Sequence, residues 1–189
     1  MQALPFPDPP LKDGFVLLRP WRRMDTQQRY EGFADGLCQR FSSPRIEPTT
    51  EADVAAAYER NEQERLAGEA LNFAIVDAAR PERVWGAMSV YDVDASNQRA
   101  AIGYWVASWE RGRGVATRSL RLLARWSFAR LNVERLELTC APDNIASARV
   151  AERCGFVREG LLRSHLRFKN RRRDTVMFSL LPGELEQDR

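Results

Sequence analysis

Residues 99–141 carry the pattern that most restricts the fold. "RAAIGYWVA" reads as an apolar strand and is followed by a glycine-bearing loop, Ser108 to Gly114. The next segment places Ala116, Leu120, Leu123 and Ser127 at the spacing of one helix face. "RLELTCA" then alternates as a strand until Pro142 stops it. A strand, a crossover helix and a second strand in one sheet run parallel, so these two strands are expected side by side and co-directional.

The flanking segments supply the rest of the sheet. "FVLLRPW" is a short strand, and Asp25 is placed to cap a helix reaching to about Leu37. Thr50 and Asp53 resemble a capping box opening a helix that Gly68 ends. "LNFAIVD" and "RVWGAMSVYDVD" read as strands joined around Pro81, and with "RAAIGYWVA" they should form an antiparallel meander. "DNIASARVAERCGF" is a short helix stopped at Gly155. Two strands, about Phe156–Phe168 and Thr175–Leu181, are separated by "KNRRRD", and the tail from Pro182 is expected to fray. The result is a mixed α/β (α+β) sheet of about seven strands in a single domain, residues 1–189, with a core at about 15–181 and short flexible ends.

Composition narrows the function. The 189 residues carry a formal charge of only +3, with basic residues scattered among acids, which disfavours direct nucleic-acid binding. All basic side chains except Lys12, Lys169 and His165 are arginine, which suits carboxylate and phosphate partners. Cys38, Cys140 and Cys154 are widely spaced, and with one histidine no zinc site is expected. The start "MQALPFPDPP" lacks the layout of a signal peptide, and no segment approaches the roughly 18 apolar residues of a membrane helix. Free thiols and the absence of such segments point to the cytoplasm.

The loop "RGRGVATRSL", Arg111 to Leu120, puts two glycines and two arginines where a helix begins. The first amides of a helix lack partners and its dipole is positive there, so the loop suits an anion such as a phosphate. A Walker loop would need a lysine that is absent. A dinucleotide fingerprint would need a third glycine or alanine where Thr117 stands, and would precede a second half-sheet for which too little chain remains. A strand-to-helix turn without a ligand is the remaining alternative.

The run Arg111-Gly112-Arg113-Gly114-Val115-Ala116 resembles the Q/R-x-x-G-x-G/A signature of the GNAT acetyltransferases. "IGYWV" before it, "DNIASARVAERCGF", "EGLLR" and "RRDTVMFSLL" after it are similar to the subfamily of bacterial Rim-type ribosomal-protein N-terminal acetyltransferases. The resemblance implies helices on both faces of a mostly antiparallel twisted sheet and a splay between the fourth and fifth strands. It implies acetyl-CoA as co-substrate, with no metal. The amides of Arg111 to Ala116 would hold the pyrophosphate, Thr117 and Arg118 would add phosphate contacts, and the strand edge at Tyr104, Trp105 and Val106 would pair with the pantetheine arm. Asn144 matches a cofactor contact, although Asp143 or Asn144 could simply cap the helix.

The same resemblance puts Ser147 near the thioester sulfur, as the group that hydrogen-bonds the departing thiolate, in place of the tyrosine many relatives carry after this point. His165 is the candidate general base, with Glu159 and Asp92 as alternatives. An α-amine with a pKa of about 7.8 costs roughly 1 kcal/mol to deprotonate at pH 7, against roughly 4.6 kcal/mol for lysine. The absence of an obvious base therefore favours a protein N-terminus as acceptor. Small amines or antibiotics, and a non-catalytic acyl-CoA-binding module, are the alternatives. "KNRRRD", Lys169 to Arg173 with Asp174, is expected as a solvated hairpin loop or as a dock for an acidic peptide or an RNA-bearing particle.

Overall fold

The computed structural model describes residues 2–185. It opens with a short hairpin, β1 (Leu11–Lys12) and β2 (Val16–Pro20), then helices α1 (Thr26–Phe33), α2 (Gly36–Phe41) and α3 (Glu51–Leu66). Strands β3 (Leu71–Asp77), β4 (Val84–Asp94) and β5 (Arg99–Val106) form the expected meander. Helix α4 (Val115–Arg130) crosses to β6 (Arg135–Cys140), α5 (Ile145–Arg153) follows, and β7 (Val157–Phe168) and β8 (Arg171–Leu180) form a final hairpin. The described strands make one sheet of order β1-β2-β3-β4-β5-β6-β8-β7, in which β5 and β6 are the parallel pair.

The two faces differ in cover. Even-numbered residues of β5, β6 and β8, such as Ile102, Leu138 and Phe178, join a buried cluster with Leu120, Leu123 and Ala124 of α4 and Ala151 of α5. Odd-numbered residues turn to the opposite face. There Phe33 of α1 meets Trp105 at 5.5 Å between ring centroids. Gly32 makes that approach possible, because a Cβ would lie 2.9 Å from the indole. Helix α3 begins as expected, with Thr50 accepting from the Asp53 amide and Asp53 accepting from the Thr50 amide. Its buried Val54 and Ala57 face inward.

Several expectations are corrected. Asp25 does not cap α1: its carboxylate is buried in a bidentate pair with Arg19, at 2.7 and 2.9 Å, and accepts the Arg22 amide. The helix expected to reach Leu37 ends at Phe33, because Asp35 caps a separate helix α2 by accepting from the amides of Leu37 and Cys38. The strand β1 is additional, and its turn is held by Asp13 accepting from Phe15 and Val16. The N-terminal segment does not run free: Leu4 exchanges bonds with Arg65, and Phe6 stacks edge-on against Phe73. At the other end, Leu185 packs against the main cluster, while residues 186–189 lie outside the described residues.

Candidate active site

The loop before α4 is built as an amide nest. Gly112 and Gly114 have φ of +76° and +80°, a region that side chains rarely occupy, and Gly114 is the N-terminal cap of α4 without a side-chain cap bond. Residues 111–114 form a turn, and the first bond of α4 runs from the Arg118 amide to the Gly114 carbonyl, so the first-turn amides of Val115 to Thr117 have no acceptor within the helix. First-turn amides at the positive end of a sixteen-residue helix suit an anion. A Cβ on Gly112 would meet nothing within 4 Å, so the space in front of the backbone is open.

The guanidinium groups of this loop are already engaged. Arg111 donates from Nε to the Val106 carbonyl at 3.0 Å and from Nη2 to Asp35 at 2.7 Å and to the Cys38 sulfur at 3.3 Å. That bond holds the Asp35 carboxyl below its usual range. Arg113 pairs with Glu110 and lies over Phe15 and Trp85. Arg118 pairs with Asp13 at 2.7 Å. These side chains shape the loop, and the backbone, with Val115, Ala116 and Thr117 on the first turn, is left open to solvent-side approach.

The splay is visible in the register. The β5–β6 ladder covers only Arg99–Arg135, Ala100–Leu136 and Ala101–Glu137. The amide of Ala107 donates to Trp85 on the β4 side, so by alternation the backbone of Trp105 also faces β4. The backbones of Tyr104 and Val106 turn into the splay instead. The Val106 carbonyl is taken by Arg111, which leaves its amide and both groups of Tyr104 as the edge that could pair with an extended amide-bearing arm. Trp105 contributes its indole to the α1 face and no edge to the splay.

The Tyr104 side chain falls on the same face as α5, and its hydroxyl lies 3.0 Å from Ser147 Oγ. Burial pushes the Tyr104 phenol well above its ordinary range, so it stays protonated and can donate. Burial pushes the Cys140 thiol up, and the neighbouring Ser147 hydroxyl partly offsets this. Asn144 caps α5, accepting the Ser147 amide at 3.2 Å, which fixes the serine at the first turn. Sequence inspection treated Tyr104 only as a strand edge. The overlooked signal is its even register with Ile102, which aims the ring at α5.

The base candidates are not brought to this pair. His165 is exposed in the irregular part of β7, and its Nδ1 lies 2.8 Å from Thr175 Oγ1. Cys140 pairs with Val176, so Thr175, the next residue, points to the opposite face from Cys140 and Ser147. Glu159 is held by Arg135 at 2.8 and 2.7 Å and by Ser179 at 2.7 Å, and these bonds pull its carboxyl down to about 2. Asp92 sits in the bulge near the β4–β5 turn, at the end of β5 remote from the loop. None of the three is placed to take a proton beside Ser147.

The α1–α3 face carries two cavities. One, of about 330 Å³, lies between Phe33, Trp105 and the start of α3. The other, of about 360 Å³, lies between α2, the β6–α5 connection and the β7–β8 hairpin. The hairpin corrects an expectation, because Arg171, Arg172 and Arg173 are strand residues of β8 and only Lys169 and Asn170 turn, both at positive φ. The three cysteines are free thiols, and no group of His, Cys, Asp and Glu able to hold a metal occurs among the described residues. No helix there is long and apolar enough to cross a membrane.

Comparison with known proteins gives this geometry its context. Residues 16–157 match the acetyltransferase (GNAT) domain. The N-acetyltransferase p20 of Bacillus licheniformis is 33% identical over 158 residues, covering 80% of this chain and 88% of p20. YdaF of Bacillus subtilis, which carries a provisional ribosomal N-acetyltransferase name, is 36% identical over 104 residues, 55% of this chain and 57% of its own. The structure of Mycobacterium smegmatis RimJ in complex with CoA-disulfide superposes with a TM-score of 0.83 at 28% identity, over 95% of this chain and 88% of RimJ. An amide nest at a helix start, a splayed parallel pair and this similarity agree: the chain belongs to the GNAT family of acetyl-CoA-dependent acetyltransferases.

Proposed function

We propose that this chain acetylates the α-amine of a protein N-terminus, of the ribosomal-protein type, and that residues of about 15–181 act as one catalytic domain. The observation that carries the mechanism is the Tyr104–Ser147 hydroxyl pair at the splay, 3.0 Å apart. When bound, acetyl-CoA supplies an activated acyl group on a thioester. The amides of Gly112 to Thr117 hold its pyrophosphate, and the Tyr104 edge aligns its arm. Ser147 hydrogen-bonds the sulfur as it leaves, and the protonated Tyr104 supports that serine from behind. A tyrosine hydroxyl beside the serine supports an enzyme over a binding module without chemistry.

The acceptor assignment rests on the missing base. With His165, Glu159 and Asp92 all directed elsewhere, the amine has to arrive largely deprotonated or lose its proton through water. An α-amine satisfies this at far lower cost than a lysine. Thiol release measured with peptides of free and blocked N-termini, with lysine side chains and with small amines tests the assignment. Turnover of free N-termini at least about tenfold above that of lysine peptides is expected. Equal rates on lysine side chains, or a preference for small amines, would overturn it.

A further inference from the structure

In the cavity between α2 and the β7–β8 hairpin, cations outnumber acids. Arg40, Lys169 and Arg173 line it against the single carboxylate of Asp143. Arg40 is paired with Asp143 and lies over Phe41. Arg173 has no carboxylate at ion-pair distance among the described residues. Its guanidinium stacks 3.8 Å over Phe168 and donates one bond, to the Phe41 carbonyl at 3.2 Å. Its Nε is buried without a partner. Lys169 is anchored through its backbone to Pro44 and also has no ion-pair partner among the described residues.

A buried guanidinium nitrogen with nothing to donate to is costly, and an arginine stacked on a ring is preorganised for a planar anion. The cavity also has a place in the reaction. Its wall residue Ala141 follows Cys140, whose thiol neighbours the Ser147 hydroxyl, and Asp143 precedes the α5 cap. The cavity therefore adjoins the β6–α5 connection that leads to Ser147, and it opens on the sheet face opposite α4, the face to which Arg173 and Thr175 point.

We propose that this cavity selects acceptors that carry a carboxylate next to the reacting amine, namely peptide N-termini with an acidic residue at the second position. Arg173 takes the carboxylate with Lys169, while Phe41 and Phe168 enclose its aliphatic stem. One uncompensated positive charge then remains near the amine, which favours the neutral, nucleophilic form. The assignment rests on the amine acetyltransferase function proposed above.

The test uses peptides that differ only at the second residue, Glu, Gln or Lys. Thiol release reads turnover, and titration of the N-acetylated peptides into the enzyme–CoA complex reads binding without chemistry. Glu should exceed Gln by about tenfold in kcat/KM and in affinity of the acetylated form, with Lys lowest. Arg173→Gln should reduce that preference to under about threefold while the acetyl-CoA KM stays unchanged. Lys169→Asn, at a turn position asparagine tolerates, should give a smaller loss in the same direction and covers the event that the first variant fails to fold. Turnover with no preference for Glu, or a preference that survives in both variants, overturns the proposal. A Glu preference in acetylated-peptide binding without any amine turnover supports the pocket and instead overturns the acceptor assignment.

Discussion

The loop before α4 and the cavity below the β7–β8 hairpin are both rich in arginine, yet they present opposite faces of arginine chemistry. In the loop, Arg111, Arg113 and Arg118 each have a carboxylate partner, and the first-turn amides of α4 are left without an acceptor within the helix. In the cavity, Arg173 has no carboxylate at ion-pair distance among the described residues and its Nε has no partner. The loop is therefore suited to an anion through backbone geometry that any sequence with the right glycines can supply. The cavity, in the proposal above, would bind through particular side chains. This division fits a cofactor that is constant across a family and an acceptor that varies within it.

The largest effects should come from the hydroxyl pair that lies between the two regions. Ser147→Ala is expected to lower kcat about a hundredfold with acetyl-CoA affinity retained, and Tyr104→Phe should lower it less. If the tyrosine acts through the serine, the double variant should be little worse than Ser147→Ala alone, which steady-state kinetics of the four proteins would read. Fully multiplicative losses would separate the two groups. Gly114→Val should come next, raising the acetyl-CoA KM by about tenfold or more through left-handed strain and crowding, with the acceptor KM nearly unchanged. If Gly114→Val binds CoA as the parent does, the loop is only a turn.

Much of this architecture was legible in the sequence, for reasons of short range. The Thr50–Asp53 cap, the α4 face and the glycine loop are all local patterns, and the parallel β5–β6 pair follows from the crossover. What escaped depends on contacts between distant segments. Tyr104 and Ser147 are 43 residues apart, and only the alternation of β5 hints that they share a face. The break between α1 and α2 turns on Asp35, whose capping role competes with an otherwise helical pattern and is reinforced by Arg111, 76 residues away. Arg111 and Arg118 look like phosphate ligands in sequence because their carboxylates, Asp35 and Asp13, come from the far N-terminal region, whereas the partner of Arg113, Glu110, is local.

Removing a matched arginine sharpens the comparison with a smaller effect. Arg113 and Arg118 are about half exposed and already paired, so Arg113→Ala and Arg118→Ala should each weaken CoA binding by less than about threefold. Calorimetry with CoA at two salt concentrations would measure this, and salt should weaken binding in the parent and both variants alike because the amides and helix dipole remain. A loss as large as that of Gly114→Val would assign the phosphates to side chains and erase the contrast with the cavity.

The smallest effect on activity is expected at the most strongly matched carboxylate, Glu159. Arg135 and Ser179 pull its folded pKa from an ordinary 4.5 down to about 2. A group whose folded pKa is depressed stabilises the fold above its unfolded value, and that contribution is lost as pH falls through the folded one. Glu159→Gln should therefore leave kcat at neutral pH unchanged, since a carboxylate held ionised by two partners is too weak a base for an amine. It should flatten the fall in stability between about pH 4.5 and 2, followed by denaturant unfolding at several pH values. A large drop in kcat would restore Glu159 as the base, and would mean that the acceptor approaches over the β6–β8 face and not through the cavity around Arg173.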